Sequence, residues 1–140
     1  HYLEHEYHPR ALLQRVRELV RPGAVLVIEV PDHDSWTRRR HGAFWQGYHT
    51  PRHTVLYTPD TLRRMLEATG WRVEHQRQRG TLDAYALHWM SRMERADIDW
   101  GASMQSRFPG FVLGLLAFRL RHLLKRGEGL GIQTAVARAL

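Results

Sequence analysis

Histidine supplies most of the groups in this chain that titrate near neutral pH, with ten histidines among 140 residues. His1, His5 and His8 surround Glu4, and three more lie in one aromatic-rich stretch: His41, His49 and His53. Imidazole gains and loses a proton near neutral pH, so such residues are candidates for general bases. With so many histidines, any one of them can equally be a surface or hydrogen-bonding residue. The trio at the start has no spacing that by itself predicts a zinc site.

The element that must position these side chains is a strand near residues 24–30. Ala24 to Val30 is an apolar run rich in β-branched residues, opened by Pro22-Gly23 and closed by Pro31. A short apolar run between such breakers predicts a strand buried on both faces, as in a parallel sheet flanked by helices. The alternative of a buried helix would leave too few residues between the breakers.

The remaining elements complete an α/β pattern. Pro9 begins a predicted helix before the strand, and Thr58-Pro59 begins a second helix after it. That second helix leads to a half-buried strand near residues 72–78, which predicts parallel pairing with the first strand. A last strand near 131–138, antiparallel at the end of the sheet, competes with a helical interpretation because its alanines suit both. The fold class is α/β with flanking helices, in a single domain over residues 1–140.

A long stretch without clear periodicity, residues 37–58, follows the polar residues at the carboxyl end of the first strand. Ligands bind at that end of strands in open α/β sheets. Loops of this length are usually lids, binding loops or disordered segments, and the aromatic content argues against disorder. We therefore predict a lid or substrate loop, with ordinary packing of the aromatic residues as the alternative.

Composition adds two further hypotheses. The net charge of +7, carried mostly by arginine, is compatible with a nucleic-acid partner, but the arginines are scattered and we expect none. Residues 108–126 predict an apolar helix with a basic end, packed on the sheet or lying at a membrane surface through residues 111–124. The chain contains no cysteine, which agrees with a cytoplasmic location.

Several short motifs occur in a fixed order, and the set is more specific than any member. They are His1-Tyr2-Leu3-Glu4-His5, Pro9-Arg10-Ala11-Leu12-Leu13, Arg21-Pro22-Gly23-Ala24, Pro51-Arg52-His53, Tyr57-Thr58-Pro59 and Ala68-Thr69-Gly70-Trp71. This order resembles the C-terminal half of Rossmann-like S-adenosylmethionine-dependent methyltransferases. The resemblance is to the small-molecule group that includes the ubiquinone-biosynthesis O-methyltransferases.

The resemblance implies a function and a set of site residues. It implies S-adenosylmethionine as cofactor and methyl transfer to an oxygen or nitrogen of a small-molecule acceptor. The cofactor would lie against the end of a fourth strand, at His1, Tyr2 and Leu3. His5 and His53 are the general-base candidates, and three further residues would line the acceptor pocket: Trp45, Tyr48 and Arg52. Some relatives bind a divalent metal through this first motif, but His1 stands where they have an acid, so we predict no metal site.

The glycine-rich loop that binds the cofactor in this group has no counterpart in the sequence. We therefore expect a truncated domain that lacks the N-terminal cofactor-binding half and starts within a motif. Activity would then need a longer parent sequence. The corresponding alternative is a non-catalytic truncated paralogue that acts as an interaction or membrane-surface partner.

Overall fold

The computed structural model describes residues 1–101, 105–124 and 128–140 and shows a mixed α/β fold. Its helices and strands are α1 (Pro9–Leu19), β1 (Val25–Pro31), α2 (Trp36–His41), α3 (Pro59–Glu67), β2 (Trp71–Arg77), α4 (Ala84–Arg95), α5 (Phe108–Leu124) and β3 (Ile132–Ala139). Single 3-10 turns occupy Leu3–His5, Gly42–Phe44, Gln46–Tyr48 and Gln105–Arg107. The three predicted strands are thus found within a residue or two of their expected positions.

The three strands form one sheet in the order β1-β3-β2, and β3 is antiparallel to both neighbours. The antiparallel direction of the last strand is confirmed. Its place at the end of the sheet is wrong, and so is direct pairing of β1 with β2. Both edges of β3 are paired, which satisfies its backbone groups internally, and six of its eight residues are buried. This small sheet is consistent with part of a methyltransferase sheet, and a larger Rossmann-like arrangement stays a prediction.

The core lies on the face of the sheet that α1 and α3 cover. Leu13 of α1 and Leu62 and Leu66 of α3 pack with Val30 of β1 and Trp71 of β2. Small residues on β3, namely Ala135, Ala137 and Ala139, complete this face. The indole Nε1 of Trp71 donates to the carbonyl oxygen of Leu13 at 3.2 Å, so the polar group of this large core side chain has a hydrogen-bond partner.

The opposite face of β1 corrects the expectation of a strand buried on both sides. Val25 and Val27 are 56% and 62% exposed, because no described element covers that part of the sheet. Leu26 and Ile28, which alternate with them, are half-buried against the core. β1 is therefore an edge strand within the described sheet, with two valines exposed on its outer face.

The start of the segment 37–58 also differs from the expectation of irregular structure. α2 forms there because the hydroxyl of Ser35 accepts a hydrogen bond from the Arg38 backbone N–H, which caps the helix N-terminus. By contrast, the predicted start of α3 is confirmed, with Thr58 and Thr61 in a reciprocal capping box. After the two 3-10 turns, a turn at residues 49–52 leads into residues 53–58, which are not helical and precede α3.

The apolar helix α5 runs from Phe108 to Leu124, and the expected residues Lys125 and Arg126 lie outside the described residues. Phe118 points inward against Trp36 and Tyr85, whose hydroxyl donates to the Phe111 carbonyl. The outer surface of α5 carries five exposed leucines: Leu113, Leu116, Leu120, Leu123 and Leu124. None of the helices in the described part of the chain has the length and apolar character needed to cross a membrane.

Candidate functional site

The candidate site lies where the turn at Leu3–His5 meets residues 53–58, which precede α3. The backbone N–H of Thr54 donates to the Glu4 carbonyl at 2.8 Å, and the hydroxyl of Thr54 donates to the Glu6 carbonyl at 2.9 Å. The next part of the segment is fixed to the carboxyl end of β1 by a backbone hydrogen bond from His33 to Tyr57. These bonds bring residues almost 50 positions apart in sequence into one cluster.

Glu4, His5 and His53 form the centre of this cluster. The two imidazole rings lie edge to face with their centroids 4.7 Å apart. The Glu4 side chain is 1% exposed, and its Oε2 has no hydrogen-bond partner among the described residues. Glu4 Oε1 lies 3.3 Å from the Nδ1 of His1. A buried carboxylate oxygen without a partner is unusual and indicates a position where water, an ion or a ligand group binds.

The hydrogen bonds of both histidines define their tautomers. Nδ1 of His5 lies 3.0 Å from the Arg52 carbonyl oxygen, and Nδ1 of His53 lies 2.8 Å from the Gly47 carbonyl oxygen. Because a carbonyl oxygen only accepts, each Nδ1 must carry the hydrogen. In the neutral form each Nε2 therefore has a free lone pair. This is the arrangement of a base or of a metal ligand.

Burial lowers the pKa of His53, and the nearby rings of His5 and His49 act in the same direction. The hydrogen bond to Gly47 and the charge of Glu4 oppose this shift without reversing it. His53 is consequently neutral at neutral pH, with Nε2 able to accept a proton. Close by, burial and then the charge of Glu4 raise the pKa of Tyr57 to about 12, so its phenol stays protonated.

The cluster also has the composition of a cation site. Glu4, His5 and His53 each offer one ligand atom, and these atoms lie within 4.8 Å of one another. Carboxylate oxygen and imidazole nitrogen suit zinc, manganese or iron, and the Nδ1 bonds to carbonyls would orient the two rings as ligands. The residues therefore fit a divalent cation, although the sequence predicts none.

The three residues expected at the cofactor lie beside this cluster. His1 bridges two carboxylates, with Nε2 2.8 Å from Glu29 Oε1. Tyr2 is 63% exposed, whereas Leu3 is buried in the core. All three line one cleft of about 270 Å³, together with the apolar residues Leu26 and Ile28 of β1.

The residues expected at the acceptor pocket lie at different depths. Trp45 is 1% exposed and packs on Gly47, where an added Cβ would collide with the indole ring. The Tyr48 ring is half-buried against Trp45 and against the His33 ring, at centroid distances of 5.2 and 5.9 Å. Arg52 is exposed and makes no side-chain ion pair within the described chain. Tyr48 and Arg52 are therefore accessible from solvent, whereas the buried Trp45 ring packs against the inner side of Tyr48.

Asp32 and His33 belong to the polar segment after β1 where the sequence predicts ligand binding, although neither has an individual predicted role. The Asp32 carboxylate is fully buried and accepts hydrogen bonds from Gln78 Nε2 at 2.8 Å and from the Asp34 N–H at 2.9 Å. Its burial raises its pKa, and burial together with the charge of Arg38 lowers the pKa of His33. Their position directly after β1 is the sequence signal that pointed to this segment.

The chain belongs to a methyltransferase domain family, whose model matches residues 1–76. The matched part includes the Glu4–His5–His53 cluster, β1 and α3, and it ends within β2. The predicted methyltransferase relationship is thereby confirmed, without the subgroup. No curated protein matches the chain.

Proposed function

We propose that this chain takes part in methyl transfer from S-adenosylmethionine to an oxygen or nitrogen of a small-molecule acceptor in the cytoplasm. The family match carries the proposal, because it covers the segment that contains the histidine cluster. When bound, S-adenosylmethionine supplies an electrophilic methyl group on a sulfonium sulfur. The protein must then hold the acceptor in line and remove its proton, and positioning alone provides a large part of such rate accelerations.

The cleft beside β1 supports a cofactor role for His1, Tyr2 and Leu3. Its walls are mainly apolar, which suits a flat heterocycle, and His1 and Glu29 add polar groups at one side. Tyr2 is the residue to test, because it is exposed, while Leu3 belongs to the core.

His53 is the proposed general base. Its Nε2 has a free lone pair in the neutral state, and its lowered pKa keeps it unprotonated at neutral pH. Nε2 would take the proton from the acceptor as the new bond to the methyl carbon forms and the bond from that carbon to sulfur breaks. His5, whose ring lies against that of His53, would share or relay this proton.

The segment 37–58 would hold the acceptor. Tyr48 offers a half-buried ring for an apolar or aromatic part of the acceptor, with Trp45 behind it. Arg52 would hold an anionic group of the acceptor, since its guanidinium can bind a carboxylate or phosphate with two hydrogen bonds.

Substitution of the base tests the catalytic part of the proposal. We expect His53→Ala in the full-length protein to lower turnover about 10²- to 10⁴-fold at saturating cofactor, the usual contribution of a general base. His8→Ala is the matched control, because His8 is exposed and lies outside the Glu4–His5–His53 cluster. Turnover equal to that of the control would remove His53 from the mechanism.

Calorimetric titration tests the cofactor part separately. S-adenosylmethionine and its demethylated product should both bind the full-length protein. Tyr2→Ala should weaken both, while Tyr7→Ala, at an exposed tyrosine outside the cleft, should not. Absence of binding by either compound would refute the proposed cofactor whatever the outcome for His53.

The outer surface of α5 favours a second candidate function, which is contact with an anionic membrane surface. Five leucines on this helix are 58% to 76% exposed, and the adjoining surface carries Arg107 and Arg119. An apolar helix face beside basic residues in a chain of net charge +7 is typical of peripheral membrane binding.

A further inference from the structure

A pocket of about 670 Å³ lies between α2, α4 and α5. None of Glu4, His5 and His53 lines it, so it is a different site from the histidine cluster. One part of its wall is apolar and includes Ala117 and the buried ring of Phe118. The other part carries guanidinium groups from all three helices.

Four arginines line this pocket: Arg40, Arg92, Arg95 and Arg121. No carboxylate occurs among its lining residues, and only Arg121 has an ion-pair partner within the described chain, Glu128 at 2.8 Å. The Arg121 guanidinium also lies over the Trp36 ring, 4.3 Å from its centroid, and its buried Nε has no hydrogen-bond partner among the described residues. The pocket thus holds an excess of cations that described acidic side chains do not neutralise.

Two histidines in the wall of the pocket lie close to these arginines. His41 and His88 lie in the wall and form a hydrogen bond with each other at 2.9 Å. Burial is the main cause that lowers the pKa of both histidines, and the positive charges of Arg40 and Arg92 act in the same direction. The histidines are neutral at pH 7, so the positive potential of the pocket comes from the arginines.

We infer that this pocket binds an organic phosphate, with the phosphate at Arg92 and Arg95 and an apolar part against Ala117 and Phe118. Guanidinium groups match the geometry of phosphate oxygens with paired hydrogen bonds. Several unpaired cations suit a dianionic phosphate better than a single carboxylate. The close approach of α5 to α4 at Gly114, where an added Cβ would lie 2.5 Å from the Tyr85 hydroxyl, keeps the apolar wall in place. The inference does not depend on methyl transfer.

The test uses phenyl phosphate and inorganic phosphate as calorimetric probes with the full-length protein. Arg92→Gln/Arg95→Gln should weaken phenyl phosphate binding by about tenfold or more, as expected for the loss of charge-assisted hydrogen bonds. Arg10→Gln/Arg21→Gln removes the same charge from exposed arginines elsewhere and should leave the affinity nearly unchanged. Ala117→Phe, which narrows the apolar part, should weaken phenyl phosphate binding but not inorganic phosphate binding.

A second arm distinguishes a free phosphate ester from a lipid headgroup. Phosphatidylcholine vesicles with and without phosphatidic acid are sedimented with wild-type protein and with the two arginine pairs. If only phosphatidic acid depends on Arg92 and Arg95, the phosphate belongs to a lipid, and if only phenyl phosphate does, it belongs to a soluble ester. If binding of both probes depends on Arg92 and Arg95, the site is supported and accepts a phosphate from either source. The inference would be overturned if the two arginine-pair variants bound phenyl phosphate and phosphatidic acid vesicles equally well. It would also be overturned if wild-type protein bound neither probe.

Discussion

The contact between His41 of α2 and His88 of α4 should make the folded state sensitive to acid. His41 Nε2 and His88 Nδ1 are 2.9 Å apart, so one of these nitrogens donates and the other must be unprotonated. Burial is the main cause that lowers the pKa of each ring from 6.5 to about 4. Arg40 and Arg92 act on both rings in the same direction, and Arg95 acts on His41.

The sign and size of the effect follow from these pKa values. Between about pH 6.5 and pH 4 the unfolded chain binds protons at these rings and the folded chain does not, so stability falls as the pH is lowered. A pKa lowered from 6.5 to about 4 corresponds to about 3 kcal/mol for an isolated and fully buried histidine. His88 is half-buried and the two rings interact, so we expect a total loss of about 2–3 kcal/mol for the pair.

Urea unfolding at a series of pH values between 7.5 and 4 measures this loss. The comparison is between wild type and His41→Gln/His88→Gln, since glutamine keeps a neutral hydrogen-bonding side chain at both positions. The free energy of unfolding of wild type should decline more steeply below about pH 6.5 than that of the double variant. His8→Gln, at an exposed histidine, should follow the wild-type curve. Parallel curves for wild type and the double variant would refute the assignment of the acid sensitivity to this pair.

Three further predictions concern the core, a helix cap and the outer face of α5. Leu62→Ala, at a fully buried position, should lower the free energy of unfolding by about 2–5 kcal/mol, and a loss under 1 kcal/mol would contradict the described core. Thr58→Ala removes the capping box of α3 and should cost about 1 kcal/mol in the same assay, with an unchanged midpoint as the contrary result. Leu116→Glu should abolish sedimentation with anionic vesicles while Leu19→Glu, on the similarly exposed Leu19 of α1, should not; equal sedimentation would exclude α5 as the contact.

Local sequence signals predicted the elements of this fold well. Pro9 and the Thr58-Pro59 pair mark the starts of α1 and α3, and the apolar run from Ala24 to Val30 marks β1. The short helix α2 was missed because its signal is only the Ser35 cap, without an apolar period behind it. Such signals act over a few residues and do not depend on which elements become neighbours.

The arrangement of the strands depends on long-range pairing, and there the sequence was insufficient. β1 and β2 lie on either side of β3, a strand that comes more than 50 residues after β2 along the chain. An apolar run such as that of β1 fits a strand covered on both faces and an edge strand equally well, because composition does not say which helices arrive. The exposure of Val25 and Val27 is a property of the assembled sheet and has no separate signal in the sequence.

The candidate site, too, could be predicted from the sequence only in part. Family motifs selected His5 and His53 individually, and the structure brings them together with Glu4 in one cluster. What makes them chemically distinct from the other histidines is the backbone carbonyl that each Nδ1 meets, at Arg52 and at Gly47. Those carbonyls are backbone groups that any residue type provides, so no sequence pattern can specify them. The proton position on these two rings is thus determined by the path of the surrounding backbone. The neutrality of His41 and His88 likewise depends first on their burial between packed helices, and the charges of Arg40 and Arg92 add to it.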